Sequence, residues 1–156
     1  AELFDTTPLH DIGKVGIPDH ILLKPDRLTT EEFEIMKKHT TYGVEALRCM
    51  GPESDSLSFI RTAAEIAGTH HEKFDGNGYP AGLAGRDIPL AGRLMAIIDV
   101  YDALVNKRVY KPAFTHEAAF SMMESERGTH FDPELLDAFF EIGEDVRSIA
   151  DSFAQQ

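Results

Sequence analysis

Apolar residues recur along this chain with a helical period, and no segment alternates apolar and polar positions for long enough to predict a strand. The residues up to about Asp11 carry the pattern of a helix end. The stretch GKVGIPDHILLKPDRL is broken by Gly13, Gly16, Pro18 and Pro25 and is expected to be a connector. Thr29 opens a long helix, and Glu32 completes a capping-box pattern with it. Phe33, Met36, Gly43, Val44 and Leu47 form one apolar or small face of that helix, and His39 lies on the same face. Gly51-Pro52 ends it. A further helix is predicted from about Leu57 to His70 through Ile60, Ala63, Ala64 and Ala67. A long loop follows, HEKFDGNGYPAGLAGRDIP, whose Phe74, Tyr79, Leu83 and Ile88 mark it as ordered. Pro89 opens the next helix, with Leu90, Leu94, Ile97, Ile98, Tyr101 and Leu104. Two shorter helices finish the chain, one from Thr115 and one from Asp132-Pro133, an N-cap with proline at the first helical position. The tail ADSFAQQ is expected to fray. The fold class is all-α.

A length of 156 residues suits one domain, residues 1–156. The charge narrows the function. With 27 acidic against 15 basic residues, the net charge of −12 repels polyanions and excludes duplex nucleic acid and anionic membranes as broad partners. A small phosphorylated ligand stays allowed, provided cations are gathered at one site. No apolar run reaches the roughly 18 residues of a membrane span. Cys49 is the only cysteine and cannot form an internal disulfide, which fits a cytoplasmic location.

The polar residues that break the apolar pattern carry the chemistry. His10 and Asp11 sit side by side at a helix end, His39 on an apolar face, and His70 and His71 together at a helix terminus. Helical neighbours point about 100° apart, but at a terminus both side chains can turn toward one site. Asp99 lies within the apolar run MAIIDVYDAL and calls for a cation, since a desolvated carboxylate is costly to leave unpaired. Asp102 follows one turn later. Each histidine alone reads as a hydrogen-bonded core residue, yet that account has to be repeated for every one of them. Taken together, imidazoles and carboxylates suit iron, manganese or zinc better than magnesium. Asp11 is the natural bridging carboxylate, and a pair of ions about 3.5–4 Å apart is the usual machinery for phosphodiester hydrolysis.

HDIGKVGIP, HHEKFDGNGYP and DVYDAL, in that order, resemble the HD-GYP family, a branch of the HD superfamily of metal-dependent phosphohydrolases. The resemblance runs from about Leu9 to Phe140. It implies an all-α HD-domain helical bundle with a long GYP loop, and a site of two or three divalent ions. Iron or manganese comes first among these, with zinc, nickel and magnesium as alternatives. It makes His10, Asp11, His39, His70, His71 and Asp99 the metal ligands and Asp11 and Lys14 the catalytic residues. Lys14, Arg108 and Lys111 would face the substrate, with Asp102 and Tyr79 beside it. The implied reaction is hydrolysis of a cyclic dinucleotide, chiefly cyclic di-GMP, to pGpG or GMP by a metal-bridged hydroxide. Cyclic GMP-AMP as substrate and an impaired, nucleotide- or partner-binding signalling module are the alternatives; the GYP loop counts against an HD hydrolase of nucleoside polyphosphates.

In that family an upstream helix supplies a further histidine, and none occurs before His10. The chain is therefore expected to lack that helix and a preceding sensory or receiver domain. A GGDEF-type cyclase domain as partner and a homodimer are the remaining family-level implications. Tyr79 and Pro80 either shape the pocket wall or hold the loop closed.

Overall fold

Glycine and proline keep the segment around His10 from forming one continuous helix. It runs instead as two 3-10 turns, Thr7–Leu9 and Ile12–Gly16, followed by a single-turn helix α1 (Asp19–Leu22). The computed structural model describes residues 5–49, 57–106 and 113–154, and among these the regular elements are all helical.

The helix expected from Thr29 forms in two pieces, α2 (Thr30–Lys37) and α3 (His39–Arg48), hinged at Lys38. The predicted capping box is present: the Thr29 hydroxyl accepts from Glu32 N, and the Glu32 carboxylate accepts from Thr29 N. The break has a local cause. The side chains of His39, Thr40 and Thr41 each bond the carbonyl three residues back, on Met36, Lys37 and Lys38, and so compete with the helical ladder. His39, Gly43 and Leu47 are buried as the periodicity requires, whereas Phe33, expected on the same face, is exposed because the hinge turns α2 away.

Helix α4 (Leu57–Thr69) buries Ala63, Ile66 and Ala67, and α5 (Leu90–Val105) follows the long loop. Three helices finish the described chain rather than two: α6 (His116–Ser125), α7 (Pro133–Glu141) and α8 (Gly143–Ala154). The expected frayed tail begins inside α8. The stripe that sequence reading passed over there is Val146 and Ala150, one turn apart, which pack on the apolar cluster of α5, α6 and α7. No helix among the described residues is long and apolar enough to cross a membrane.

The two ends of the molecule are held differently. Around α3 and α4 the backbones meet at glycines. A Cβ on Gly13 would lie 1.9 Å from the His39 carbonyl oxygen and 2.4 Å from Gly43 N, and one on Gly43 would lie 3.2 Å from Ala67 Cβ. Around α5, α6 and α7 the contact is made by large side chains: Ile97, Tyr101, Leu104, Met123, Phe131 and Leu136 form the buried cluster.

Candidate metal centre

Close backbone contact at Gly13 carries the 3-10 segment, with His10 and Asp11, onto α3 and α4. Three of the imidazoles are then fixed by the main chain. His10 Nδ1 lies 2.7 Å from the Thr7 carbonyl, His39 Nδ1 2.7 Å from that of Met36, and His70 Nδ1 3.0 Å from that of Ile66. A carbonyl only accepts, so Nδ1 carries a ring proton in each case; the Nε2 atoms of His39 and His70 then keep their lone pairs, while His10 Nε2 faces the Asp11 carboxylate. These Nε2 atoms converge.

His39 Nε2 and His70 Nε2 are 3.5 Å apart, an approach of two lone pairs with no proton between them. Asp11 Oδ1 is 3.5 Å from His39 Nε2 and 3.9 Å from His70 Nε2. On the other side of the carboxylate, His10 Nε2 is 3.2 Å from Asp11 Oδ2 and 3.9 Å from Asp99 Oδ1. His71 completes a set with His39 and His70 in which one nitrogen from each lies within 4.8 Å of the others. Atoms that share one ion through bonds of roughly 2.0–2.2 Å stand about 3–4 Å apart, which is the spacing of Asp11 Oδ1 and the His39 and His70 nitrogens.

The fit can be tested on a single atom. Asp11 Oδ1 is buried and has no hydrogen-bond partner, although buried carboxylate oxygens are almost always satisfied. A cation between Asp11 Oδ1 and the His39 and His70 nitrogens would satisfy all three. The donor set, imidazole nitrogen with carboxylate oxygen, suits a first-row divalent ion.

The charge states agree with this. Burial pushes the Asp11 carboxyl up, but hydrogen bonds from His10 and Lys14 outweigh it and hold it well below the usual carboxylate range. Burial lowers His39, His70 and His71, with neighbouring histidines adding to the effect, to about 4 for His70 and about 2 for His71. Burial acts on His10 in the same direction, but the Asp11 carboxylate and the Thr7 carbonyl outweigh it and its pKa is raised. The inner imidazoles are thus neutral at pH 7 beside an ionised Asp11, the forms in which imidazole and carboxylate can bind a metal.

The structure brings His10, Asp11, His39, His70, His71 and Asp99 to one place. Lys14 joins them through Asp11, its Nζ 2.5 Å from Oδ2, with its side chain half-exposed at the rim. Tyr79 comes back over the cluster and stacks on His71, ring centroids 4.8 Å apart and planes at 28°. Asp102 goes elsewhere: it is exposed, accepts from Asn106 Nδ2 at 2.8 Å, and lines an apolar groove between α5, α7 and α8. Arg108 and Lys111 lie outside the described residues.

Sequence reading missed Glu72. It is 1% exposed, and its carboxylate accepts from the backbone N–H groups of Ala81 (2.7 Å) and Leu83 (3.1 Å), which closes the GYP loop on itself. An acid directly after the histidine pair was the only signal, and nothing in the sequence separated it from a solvated one.

The profile of the HD domain family matches residues 2–135. With this match and the motifs gathered at the site, the chain belongs to the HD domain family, in its HD-GYP branch. It is 53% identical over 151 residues to a cyclic di-GMP phosphodiesterase of Vibrio cholerae serotype O1, covering 97% of this chain and 31% of that protein. It is 46% identical over 149 residues to a cyclic di-GMP phosphodiesterase of Thermotoga maritima, covering 96% of this chain and 39% of the relative. It is also 47% identical over 137 residues to 3'3'-cGAMP-specific phosphodiesterase 2 of Vibrio cholerae, covering 88% and 25%. The chain therefore spans well under half the length of these relatives.

Proposed function

We propose that this chain is a phosphodiesterase domain that opens a cyclic dinucleotide, cyclic di-GMP first, to its linear form. The observation that carries the reading is the orphaned Asp11 Oδ1 among the inward-facing nitrogens of His39 and His70. His10, Asp11, His39, His70, His71 and Asp99 would hold two or three divalent ions, iron or manganese. Such ions, when bound, ionise a water near neutral pH and draw charge from the phosphoryl oxygens.

The remaining work belongs to the chain's own groups. The backbone carbonyls of Thr7, Met36 and Ile66 keep each imidazole in the right tautomer and orientation. Asp11 stays ionised across the physiological range and presents one oxygen to each side of the site. Lys14, the exposed partner of Asp11 Oδ2, can turn its ammonium to a phosphate oxygen without uncovering the buried Oδ1. Arg108 and Lys111 supply the further cations for phosphates and bases.

The same machinery serves a mixed-base ring, and the 47% identity to a 3'3'-cGAMP-specific enzyme supports that second reading. Incubation with Mn²⁺, or anaerobically with Fe²⁺, and each cyclic dinucleotide, with products separated chromatographically, tests both. Linear pGpG from cyclic di-GMP at the highest kcat/KM is the expected result. Faster opening of cyclic GMP-AMP moves the assignment to the mixed ring, and binding without product ends the enzyme reading for this chain.

A further inference from the structure

Three imidazoles of the cluster are oriented by backbone carbonyls, whereas no hydrogen bond from a described residue reaches the His71 ring. What His71 has is rings. It packs against His70 at 4.0 Å between centroids, edge-on to His39 at 5.0 Å, and under Tyr79 at 4.8 Å. The first two are themselves parts of the centre, so among the described residues Tyr79 is the one ring from outside the cluster that stacks on it.

The loop that delivers Tyr79 is tied down at the ligand itself. Tyr79 N donates to the His71 carbonyl at 3.1 Å. The next residue along, Glu72, receives Ala81 N and Leu83 N from beyond the turn. Gly78 lies flat on the same backbone: a Cβ there would come within 2.3 Å of Lys73 N and 2.5 Å of Glu72 Cα. Phe33 meets the Tyr79 ring edge-on at 6.1 Å, and the Lys37 ammonium lies 5.4 Å from its centroid. A buried carboxylate with two backbone donors is a strong, directional anchor.

From this arrangement we infer that the GYP loop is a positioning device for one metal ligand: Tyr79 orients His71 by stacking, and Glu72 holds the loop in the register that makes the stack. Tyr79 and Glu72 act through His71 and touch neither metal nor substrate in this role. The inference rests on the metal-centre reading above, and it answers which of two jobs, wall or closure, Tyr79 performs. Closure serves the ligand.

The test is Mn²⁺ affinity, read by the electron paramagnetic resonance of free Mn²⁺, with far-ultraviolet circular dichroism confirming that each variant is folded. Tyr79→Phe keeps the ring and should bind within about twofold of the parent protein. Tyr79→Ala should weaken binding by roughly 10–100-fold, the usual effect of removing a group that orients a ligand. Glu72→Gln keeps the size but turns an amide N–H toward one of the two backbone donors, and should weaken binding about tenfold. The deciding measurement is a cycle with His71→Ala: in that background Tyr79→Ala should cost less than twofold.

Equal losses with and without His71 overturn the proposal, as do a Tyr79→Phe defect as large as that of Tyr79→Ala and an unchanged Glu72→Gln. A parent protein that takes up no Mn²⁺ overturns it too. Should Tyr79→Ala fail to fold, Tyr79→Leu fills the space without a flat ring and carries the same expectation. These readings stand whether or not any cyclic dinucleotide is cleaved, so a failure of the substrate assignment is seen separately.

Discussion

Helix α5 has two sides that obey opposite rules. On one, Asp99 reaches a cluster of short polar side chains that converge only because the neighbouring backbones nearly touch. On the other, Ile97, Tyr101 and Leu104 enter a core of large rings and thioethers, where Tyr101, Phe120 and Phe139 lie 5.4–6.0 Å apart. The first region depends on side chains that are absent, at Gly13, Gly43 and Gly92, where a Cβ would lie 2.0 Å from Thr69 Oγ1. The second depends on side chains that are present. The metal-centre region uses the first kind of packing because the close approach at Gly13 sets the 3-10 segment that carries His10 and Asp11 directly on α3, which carries His39.

The sharpest way to break that contrast is to add one methyl group on the site side. Gly13→Ala puts a Cβ into backbone atoms of α3, which cannot rotate away. Loss of more than about 4 kcal/mol of stability is expected, with Mn²⁺ uptake abolished in whatever folds. Urea unfolding and metal titration read both; retained affinity within twofold would show that the close approach does not build the site.

Removing a side chain on the far side should do the reverse. Phe131 is 1% exposed in the ring-lined core, and Phe131→Ala should cost roughly 3–5 kcal/mol by transfer and cavity effects together. Mn²⁺ affinity of the folded protein should stay within about twofold. A tenfold loss would mean that the two regions are one cooperative unit at the level of the site.

Acid should act mainly on the site region of the metal-free protein. His70 and His71 sit at about 4 and about 2 in the folded chain, against 6.5 for a free imidazole. The unfolded chain therefore binds more protons below pH 6.5, and stability must fall as the pH drops from there; the His70 share is exhausted near pH 4. His10 is raised and works in the opposite sense, stabilising below its unfolded value and fading as pH rises, but it stands against His39, His70 and His71 together. Unfolding free energies from urea titrations at pH 7.5, 6 and 5 should decline by roughly a few kcal/mol in all. His70→Leu should flatten that decline, and Phe131→Ala should leave its slope unchanged.

How much of this was legible beforehand follows the same division. The ring-lined core was readable because periodicity reports which face is apolar, and Asp132-Pro133 and Thr115 capped helices where their chemistry said they would. The clustering of His10, Asp11, His39, His70, His71 and Asp99 was readable because histidines and acids on apolar faces call for a shared partner, and the motifs around them restrict their order. The hinge at Lys38 was not, since it arises from three consecutive side chains bonding carbonyls rather than from a breaker residue. Glu72 was not, since an acid's burial depends on which backbone N–H groups fold back onto it, here from Ala81 and Leu83 across a turn. Asp102 shows the limit of helical spacing: three residues from Asp99, it still faces a different groove.

Two ion pairs tie the GYP loop and its exit to the far region, and they should differ in effect. Arg93 donates to the Ile88 carbonyl at the loop's end and to Asp132, and both partners of the pair are nearly buried. Asp132 also caps α7 through Glu134 N. Asp132→Ala strands a buried guanidinium and removes a cap, so roughly 3 kcal/mol should be lost in urea unfolding. Arg86 pairs with Glu134 through both carboxylate oxygens, but the two side chains are 71% and 77% exposed. Water screens such a pair, and Arg86→Ala should change stability by less than about 1 kcal/mol and Mn²⁺ affinity not at all. If Arg86→Ala nevertheless weakens Mn²⁺ binding while Asp132→Ala does not, the loop is aligned from its exposed edge, and the buried Arg93 link is only a support for α7.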